Sequence, residues 1–172
     1  MKVKFGWLAC LAILVTVSVS GGSWDSVLAK EDQIAYFDVV PQQPAEIFLG
    51  KGGIFMVNSS YSGTAGITRK DPNYLYPSGN LVFVERWIDF QIYDSRGVAF
   101  PILWGFNYVY FNLTYDTRQM VDEGALRIYH WDTLKRSWVE CPTLLVVDEN
   151  EPHGRAACVM TSFGLYGLAY EK

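Results

Sequence analysis

Short apolar runs separated by turn residues recur about every eight to twelve positions from Ile34 to the end of this chain. This spacing is typical of a β-sandwich or barrel, because each run suits one strand and the glycine, proline and asparagine between runs permit turns. Helical periodicity is confined to residues 117–125, where Gly124 would end a short helix. The predicted strands are residues 34–40, 46–49, 54–59, 66–69, 80–93, 109–115, 126–131, 138–147, 156–162 and 165–170.

The residue composition supports the same fold class. Aromatic residues make up 16% of the chain and charged residues only 19%. Aromatic and β-branched side chains fit the pleated, half-buried surface of a sheet. We therefore predict an all-β, antiparallel β-sandwich that forms a single domain over residues 30–172.

The densest aromatic stretch, residues 104–113, is the candidate binding strand. With the period of two of a strand, its side chains divide between two apolar faces. One face carries Trp104, Phe106, Tyr108 and Tyr110, and the other carries Val109, Phe111 and Leu113. The first face is the predicted binding face, because exposed rings stack on sugar rings or on a partner's side chains. The alternative is that these rings belong to the core and only their polar tips reach water.

The N-terminus has the features of a secretory signal. Lys2 and Lys4 precede an apolar run over residues 5–19, and small or apolar residues lead to a plausible cleavage site after Ala29. The run is shorter than the roughly 20 residues that a transmembrane helix needs. We predict that residues 1–29 are a signal peptide, with cleavage after residue 20 or 22 as alternatives. The mature protein is then secreted, periplasmic or part of the cell envelope, and only an uncleaved signal would attach it to a membrane.

The charge of the mature chain excludes one class of partner. Removing residues 1–29 takes away Lys2, Lys4 and Asp25, which leaves 12 basic and 17 acidic residues and a net charge of −5. A surface of this sign repels phosphate backbones. We therefore expect no nucleic-acid partner.

Two cysteines remain after the signal, Cys141 and Cys158. Outside the cytoplasm an even number favours a disulfide, and the alternative is two buried thiols. Residues 138–147 and 155–162 are predicted to be the arms of one hairpin, with one cysteine on each arm. This places their Cα atoms within the roughly 4.4–6.8 Å that a disulfide requires.

The C-terminal third carries an ordered set of aromatic and cysteine residues. An aromatic-Trp-Asp turn ends at Asp132, Trp138 and Cys141 follow, and the segment with Cys158 leads to Phe163. This order resembles the GPS motif that closes the GAIN domains of adhesion receptors. Sandwich modules of the netrin-receptor and ankyrin type close on a similar hairpin. The resemblance covers residues 126–170 and implies a sandwich that closes in the same way.

The same resemblance bears on self-cleavage. Aligning Phe163 with the phenylalanine of the motif places Thr161 at the nucleophile and Met160 before the scissile bond. Val159 then occupies the position of the histidine, and a valine cannot activate a threonine hydroxyl. We therefore expect no autoproteolysis. Of the four cysteines of the motif, Cys141 matches one, and Cys158 lies one residue out of register.

Other catalytic or metal-binding patterns are missing from the sequence. His130 and His153 are its only histidines, and neither has metal-ligand neighbours at a recognisable spacing. There is no phosphate-binding loop, hydrolase elbow or zinc-protease helix. We expect no metal and no cofactor. The acidic residues between positions 89 and 123 are interpreted as turn caps or solvated side chains.

These observations favour a secreted, non-catalytic β-sandwich that acts as a binding or structural module of the cell envelope or extracellular space. Its expected partner is either a carbohydrate or another envelope protein. Two alternatives stay open. One is an enzyme, either a hydrolase or an impaired self-processing domain of the GPS type. The other is an assembly subunit that pairs through an exposed strand.

Overall fold

The computed structural model describes residues 34–58, 61–101, 105–148 and 151–172. The predicted signal peptide and Trp104 lie outside the described residues. The described residues form one helix, α1 (Tyr115–Asp122), and twelve strands. The strands are β1 (Ile34–Val39), β2 (Ala45–Leu49), β3 (Gly52–Asn58), β4 (Gly63–Lys70), β5 (Leu81–Phe83), β6 (Trp87–Tyr93), β7 (Phe106–Asn112), β8 (Leu126–Asp132), β9 (Ser137–Cys141), β10 (Leu144–Asp148), β11 (Glu151–Val159) and β12 (Gly164–Glu171).

The strands form two antiparallel sheets that pack face to face. The larger sheet has the order β1-β4-β6-β12-β8-β9, with β5 also paired to β12. The smaller sheet has the order β10-β11-β7-β3-β2. The predicted all-β sandwich is therefore confirmed.

Alternating side chains of both sheets fill the core. In the larger sheet Ile88, Phe90 and Ile92 of β6 are buried, and in the smaller sheet Val109 and Phe111 of β7 are buried opposite them. This alternation is the period of two that each strand imposes on its side chains. The prediction that Val109, Phe111 and Leu113 form the inner face of their strand is confirmed.

The predicted strand 80–93 is divided in two. β5 and β6 both pair with β12, at opposite ends of that strand. Between them Val84 leaves the ladder, although its N–H still donates to the carbonyl of Leu168. Glu85 forms ion pairs with Lys51 and Arg69 at this point. Turn propensity alone does not reveal this break, because the segment contains neither glycine nor proline.

The helix and its neighbouring strand lie a few residues earlier than predicted. Strand β7 ends at Asn112, so the predicted strand 109–115 was placed too late. The side chain of Thr114 accepts from the N–H of Thr117, and the hydroxyl of Thr117 accepts in turn from the N–H of Thr114. This reciprocal cap starts the helix at Tyr115. Gly124, with φ of +78°, follows the helix as expected.

The predicted hairpin arm 138–147 is also two strands. Pro142 and Thr143 separate β9, which pairs with β8 in the larger sheet, from β10, which pairs with β11 in the smaller sheet. The hydroxyl of Thr143 accepts from the N–H of Ile128 and secures this crossing. The prediction of one hairpin carrying both cysteines was therefore wrong. Proline lacks the N–H that a continuous strand would need.

Among the described residues, no helix combines the length and the apolar character needed to cross a bilayer.

Candidate functional site

The described part of the predicted ring face, Phe106, Tyr108 and Tyr110, lies on the outer side of the smaller sheet. The structure separates its members by exposure. Phe106 is 66% exposed, Tyr108 is half-buried and Tyr110 is only 3% exposed. The exposure of the three rings therefore decreases along the strand from Phe106 to Tyr110.

Tyr110 belongs to a polar network at the centre of this side of the sheet. Its hydroxyl donates to Oε1 of Glu46 at 2.8 Å, and the guanidinium of Arg155 donates to the same oxygen at 2.9 Å. Arg155 also lies 4.6 Å from the centre of the Tyr110 ring, within the range of a cation–π contact. The network joins β2, β7 and β11, so it ties three strands together.

Gly53 makes this arrangement possible. It is the register partner of Tyr110, and a Cβ at Gly53 would lie 2.7 Å from the hydroxyl oxygen of Tyr110. The tyrosine ring therefore lies across Gly53 towards β2, where it reaches Glu46. A side chain at position 53 would displace the ring.

Apolar side chains surround the network, and register partners on adjacent strands place most of them on the same side of the sheet. Val57 has no register partner, but it follows buried Met56 and is exposed. We define the outer face as this surface of the smaller sheet. Its exposed members are Phe48, Val57, Phe106, Leu144, Val146 and Val159, and its partly exposed members are Phe55 and Tyr108. The outer face is thus an apolar surface around a centre whose charges pair with each other.

The opposite side of β7 carries a fully buried polar residue. Asn107 has no exposed surface, and its backbone carbonyl accepts from the N–H of Met160 at 2.7 Å. This contact joins β7 to the residues that follow β11. Asn107 is therefore a structural residue of the core. The sequence analysis did not single it out because it stands between aromatic neighbours.

The predicted disulfide joins Cys141 to Cys158, with 6.1 Å between their Cα atoms. Cys141 ends β9 of the larger sheet, and Cys158 lies in β11 of the smaller sheet. The bond therefore crosses the core between the sheets, and does not link two arms of a hairpin as predicted. Both residues are buried.

The residues aligned with the GPS cleavage point lie around the end of β11. Val159 is on the outer face, Met160 is buried and Thr161 is exposed. The ring of His130 stacks on that of buried Tyr166, with 5.8 Å between centres, and the Tyr166 hydroxyl donates to the carbonyl of Ser162 at 2.8 Å. Burial lowers the pKa of His130 and raises that of Tyr166. The other histidine, His153, is exposed.

A polar cleft that the sequence analysis missed lies beside the end of α1. It encloses about 460 Å³ and is lined by Met120, Gly124, Ala125, Arg127, Tyr129, Glu140, Tyr170 and Glu171. Arg127 forms an ion pair with Glu140 at 3.6 Å. Burial, together with Glu171 and Glu140, raises the pKa of Tyr129. This tyrosine keeps its proton at neutral pH, so the cleft can donate hydrogen bonds to a polar group.

A cluster of aromatic rings lies on the outer side of the larger sheet. We define the tryptophan cluster as Tyr76, Phe83, Trp87, Trp131 and Trp138, whose neighbouring ring centres are 4.7–5.8 Å apart. Gly167 lies beneath it, since a Cβ there would be 2.5 Å from Phe83 and 2.8 Å from Trp87. The aromatic composition indicated that rings would contact each other, but it did not predict which rings.

Within the described residues, His, Cys, Asp and Glu side chains nowhere gather in a group of three or more suited to hold a metal ion. A scan against protein-family models and searches of curated proteins and of solved structures return no match to this chain.

Proposed function

We propose that this chain is a secreted, non-catalytic binding module of the cell envelope or extracellular space, and that it binds through the outer face. The observation that carries the proposal is the composition of that face. Its exposed aromatic and aliphatic side chains surround Glu46 and Arg155, which bond each other. Contiguous apolar surface of this kind marks interaction sites on soluble domains. The disulfide is consistent with an oxidising compartment.

The chemistry of the outer face favours a protein partner over a carbohydrate. Sugar recognition needs polar groups that are free to bond hydroxyls, but Glu46 and Arg155 already bond each other, and Glu46 also accepts from Tyr110. Most of the exposed members are aliphatic, and aliphatic side chains do not stack on sugars as rings do. The expected ligand is therefore an apolar surface or segment of another envelope protein.

Site-specific crosslinking in the cells that produce the protein tests this proposal. A photoreactive phenylalanine replaces Phe106, and a second chain carries the same group in place of Tyr36. Tyr36 is also an exposed ring, but it lies on β1 at the edge of the larger sheet. We expect a discrete protein adduct from position 106 only, which disappears when Val159→Lys adds a charge to the same face.

Three results would contradict the proposal. They are equal adducts from both positions, no adduct from position 106, and an adduct that survives Val159→Lys. The carbohydrate alternative is tested with a glycan array, on which wild-type protein and a Phe106→Ser variant are compared. Glycan binding that requires Phe106 would replace the protein partner by a sugar.

A second candidate function, assembly through an exposed strand, is favoured by β10. This strand forms one edge of the smaller sheet, and its exposed Leu144, Val146 and Val147 precede the first charge at Asp148. An uncharged apolar edge can pair with another chain. The irregular register between Val146 and Asp148 shortens the flat part of that edge. Assembly of this kind predicts a concentration-dependent oligomer that Val147→Lys abolishes, and sedimentation as a monomer at all concentrations would exclude it.

A further inference from the structure

The polar cleft beside the end of α1 is a second surface that a ligand can enter. Tyr129 of β8 and Glu140 of β9 are register partners in the larger sheet, and both line the cleft together with Glu171 near the end of β12. Gly124 and Ala125, which follow α1, also line it. Its volume of about 460 Å³ falls within the range of about 300–1,000 Å³ that is typical of small-molecule sites. The cleft thus has the size of a ligand site and shares no residue with the outer face.

Tyr129 contributes a hydroxyl that the protein itself does not satisfy. The residue is only 7% exposed, and it packs in a cluster with Leu81 and Trp138. Its hydroxyl forms no hydrogen bond among the described residues, although buried polar groups normally have a partner. Burial and two neighbouring carboxylates raise its pKa, so the hydroxyl keeps its proton at neutral pH. The cleft therefore contains a donor that is fixed in place and available to a ligand.

Arg127 is held in place at the end of α1. Its Nη1 donates to the carbonyls of Val121 at 3.3 Å and Leu126 at 3.2 Å, and its Nε lies 3.6 Å from Glu140. Gly124 leaves room for the guanidinium, because a Cβ at that position would lie 2.5 Å from Nη2. Nη2 has no hydrogen-bond partner within the described part of the chain. The protein therefore orients this guanidinium and leaves one terminal nitrogen to donate to a ligand.

The cleft places hydrogen-bond donors next to acceptors. Arg127 and Tyr129 donate, and the carboxylates of Glu140 and Glu171 accept. Neither carboxylate accepts a hydrogen bond from a described side chain. An anionic ligand would face both carboxylates, and a cationic ligand would face the guanidinium and the hydroxyl proton. A sugar hydroxyl both donates and accepts, so a polyhydroxylated neutral ligand suits this mixture better than either kind of ion.

We propose that this cleft binds a short saccharide. The hydroxyls of the saccharide bond to Arg127, Tyr129 and the two glutamates. Its C–H face packs on the apolar part of the lining, which consists of Met120, Ala125 and the half-buried ring of Tyr170. The polar groups of the outer face are already bonded to each other, whereas those of the cleft have free donors and acceptors. The proposal uses no residue of the outer face, so it stands or fails separately from the proposed function.

Binding to a glycan array tests the proposal. The fluorescently labelled full chain is applied to an array that carries bacterial polysaccharides, eukaryotic N- and O-glycans and a lysine-rich peptide. We expect the wild-type protein to bind a set of glycans and to leave the peptide unbound. The class of glycan that it binds identifies the source of the saccharide. Phe106→Ser should bind the same set equally well, because Phe106 lies on the outer face of the other sheet.

Variants of the cleft provide the second measurement, by calorimetry with the glycan that binds most strongly. Tyr129→Phe removes only the hydroxyl and should weaken binding about tenfold, the loss of about one hydrogen bond. Ala125→Trp fills the cleft and should abolish binding. The matched control is Tyr36→Phe, an exposed ring on β1 at the far edge of the larger sheet, which should bind like the wild type. The unfolding midpoint should not fall, because the Tyr129 hydroxyl has no described partner and Ala125 is exposed.

Five results would overturn the proposal. Absence of glycan binding by the wild type, and glycan binding that Ala125→Trp leaves intact, would each exclude a saccharide in this cleft. Equal affinities of Tyr129→Phe and the wild type would exclude the hydroxyl as a contact. Binding of the peptide alone, lost in Ala125→Trp, would replace the saccharide by a cationic ligand. Glycan binding that is lost in Phe106→Ser would assign the saccharide to the outer face.

Discussion

At the scale of single residues, neighbours on one face of a strand have different roles. Phe106 and Tyr110 are four positions apart on the outer face, yet one is mostly in water and the other is closed off. The difference arises from Gly53, Glu46 and Arg155, which belong to other strands and enclose Tyr110. The interpretation of the rings as core therefore holds for Tyr110, and binding by the exposed Phe106 stays a prediction.

The first prediction separates these two rings by stability. Tyr110→Ala should lower the free energy of unfolding by about 3–5 kcal/mol, because it removes a buried ring and leaves Glu46 without its hydroxyl donor. Phe106→Ala should change it by less than about 0.5 kcal/mol, because that ring is exposed. Urea unfolding of both variants measures the difference. Similar losses from both substitutions would show that Phe106 also packs within the structure.

The second prediction concerns pH. Burial lowers the pKa of His130 in the folded protein, so the unfolded chain takes up the proton first as the pH falls. Stability is therefore fully present above the pKa of an unfolded histidine, about 6.5, and is lost as the pH drops towards the folded pKa. His130→Gln should reduce the loss of stability between about pH 7 and pH 5.

Chemical unfolding at a series of pH values checks this prediction. His153→Gln is the matched control, because it also removes an imidazole but from an exposed position. Asp94 and Asp132 have pKa values lowered by hydrogen bonds from backbone N–H groups, and their contribution is lost as the pH falls below that of an ordinary carboxyl, about 4. An unaltered slope in His130→Gln would contradict the assignment to His130.

At the scale of elements, the chain crosses from one sheet to the other between β9 and β10. Pro142 interrupts the strand there, and Cys141 lies directly before it. The disulfide to Cys158 then ties the last residue of β9 to β11 in the opposite sheet. The bond therefore connects the sheets close to the point where the chain itself connects them.

The third prediction is that the mature protein contains this disulfide and depends on it. Intact mass before and after reduction should differ by two hydrogens. The double variant Cys141→Ala, Cys158→Ala should be less stable by about 3 kcal/mol, the value expected when a short loop is no longer closed in the unfolded chain. Two thiols that alkylate freely in the folded, non-reduced protein would contradict it.

At the scale of the whole molecule, two sheets share one core, and their outer sides carry different surfaces. The smaller sheet presents the apolar outer face, and the larger sheet carries the tryptophan cluster. These surfaces use separate residues.

The fourth prediction is that the chain stays covalently intact between Met160 and Thr161. Val159 cannot act as a base, and the ring of His130 packs on Tyr166. The purified protein should give one band in denaturing electrophoresis and a single intact mass. A stable fragment that begins at Thr161 would show that another group activates the hydroxyl, and His130→Gln and His153→Gln would then identify it.

Turn residues and the alternation of apolar side chains were sufficient to predict the fold class and most strands. They also gave the inner face of β7, because the period of two is a local property of the backbone. Strand limits were less accurate at residues 80–93 and 138–147. The break at 80–93 depends on contacts with β12, which is distant in sequence. The break at 138–147 arises because its two parts join different sheets. The candidate site was predicted only as a row of rings.

The sequence by itself determined which side chains alternate, which cysteines were available to pair and where charge is scarce, because these properties follow from residue identity and spacing. Only the tertiary structure decided that Tyr110 is buried by Glu46 and Arg155, that the disulfide crosses between sheets, and that the ring of Tyr76 packs on that of Trp131. Each of these depends on which strands become neighbours. The packing of the whole core determines which strands become neighbours, and no local sequence pattern encodes that packing.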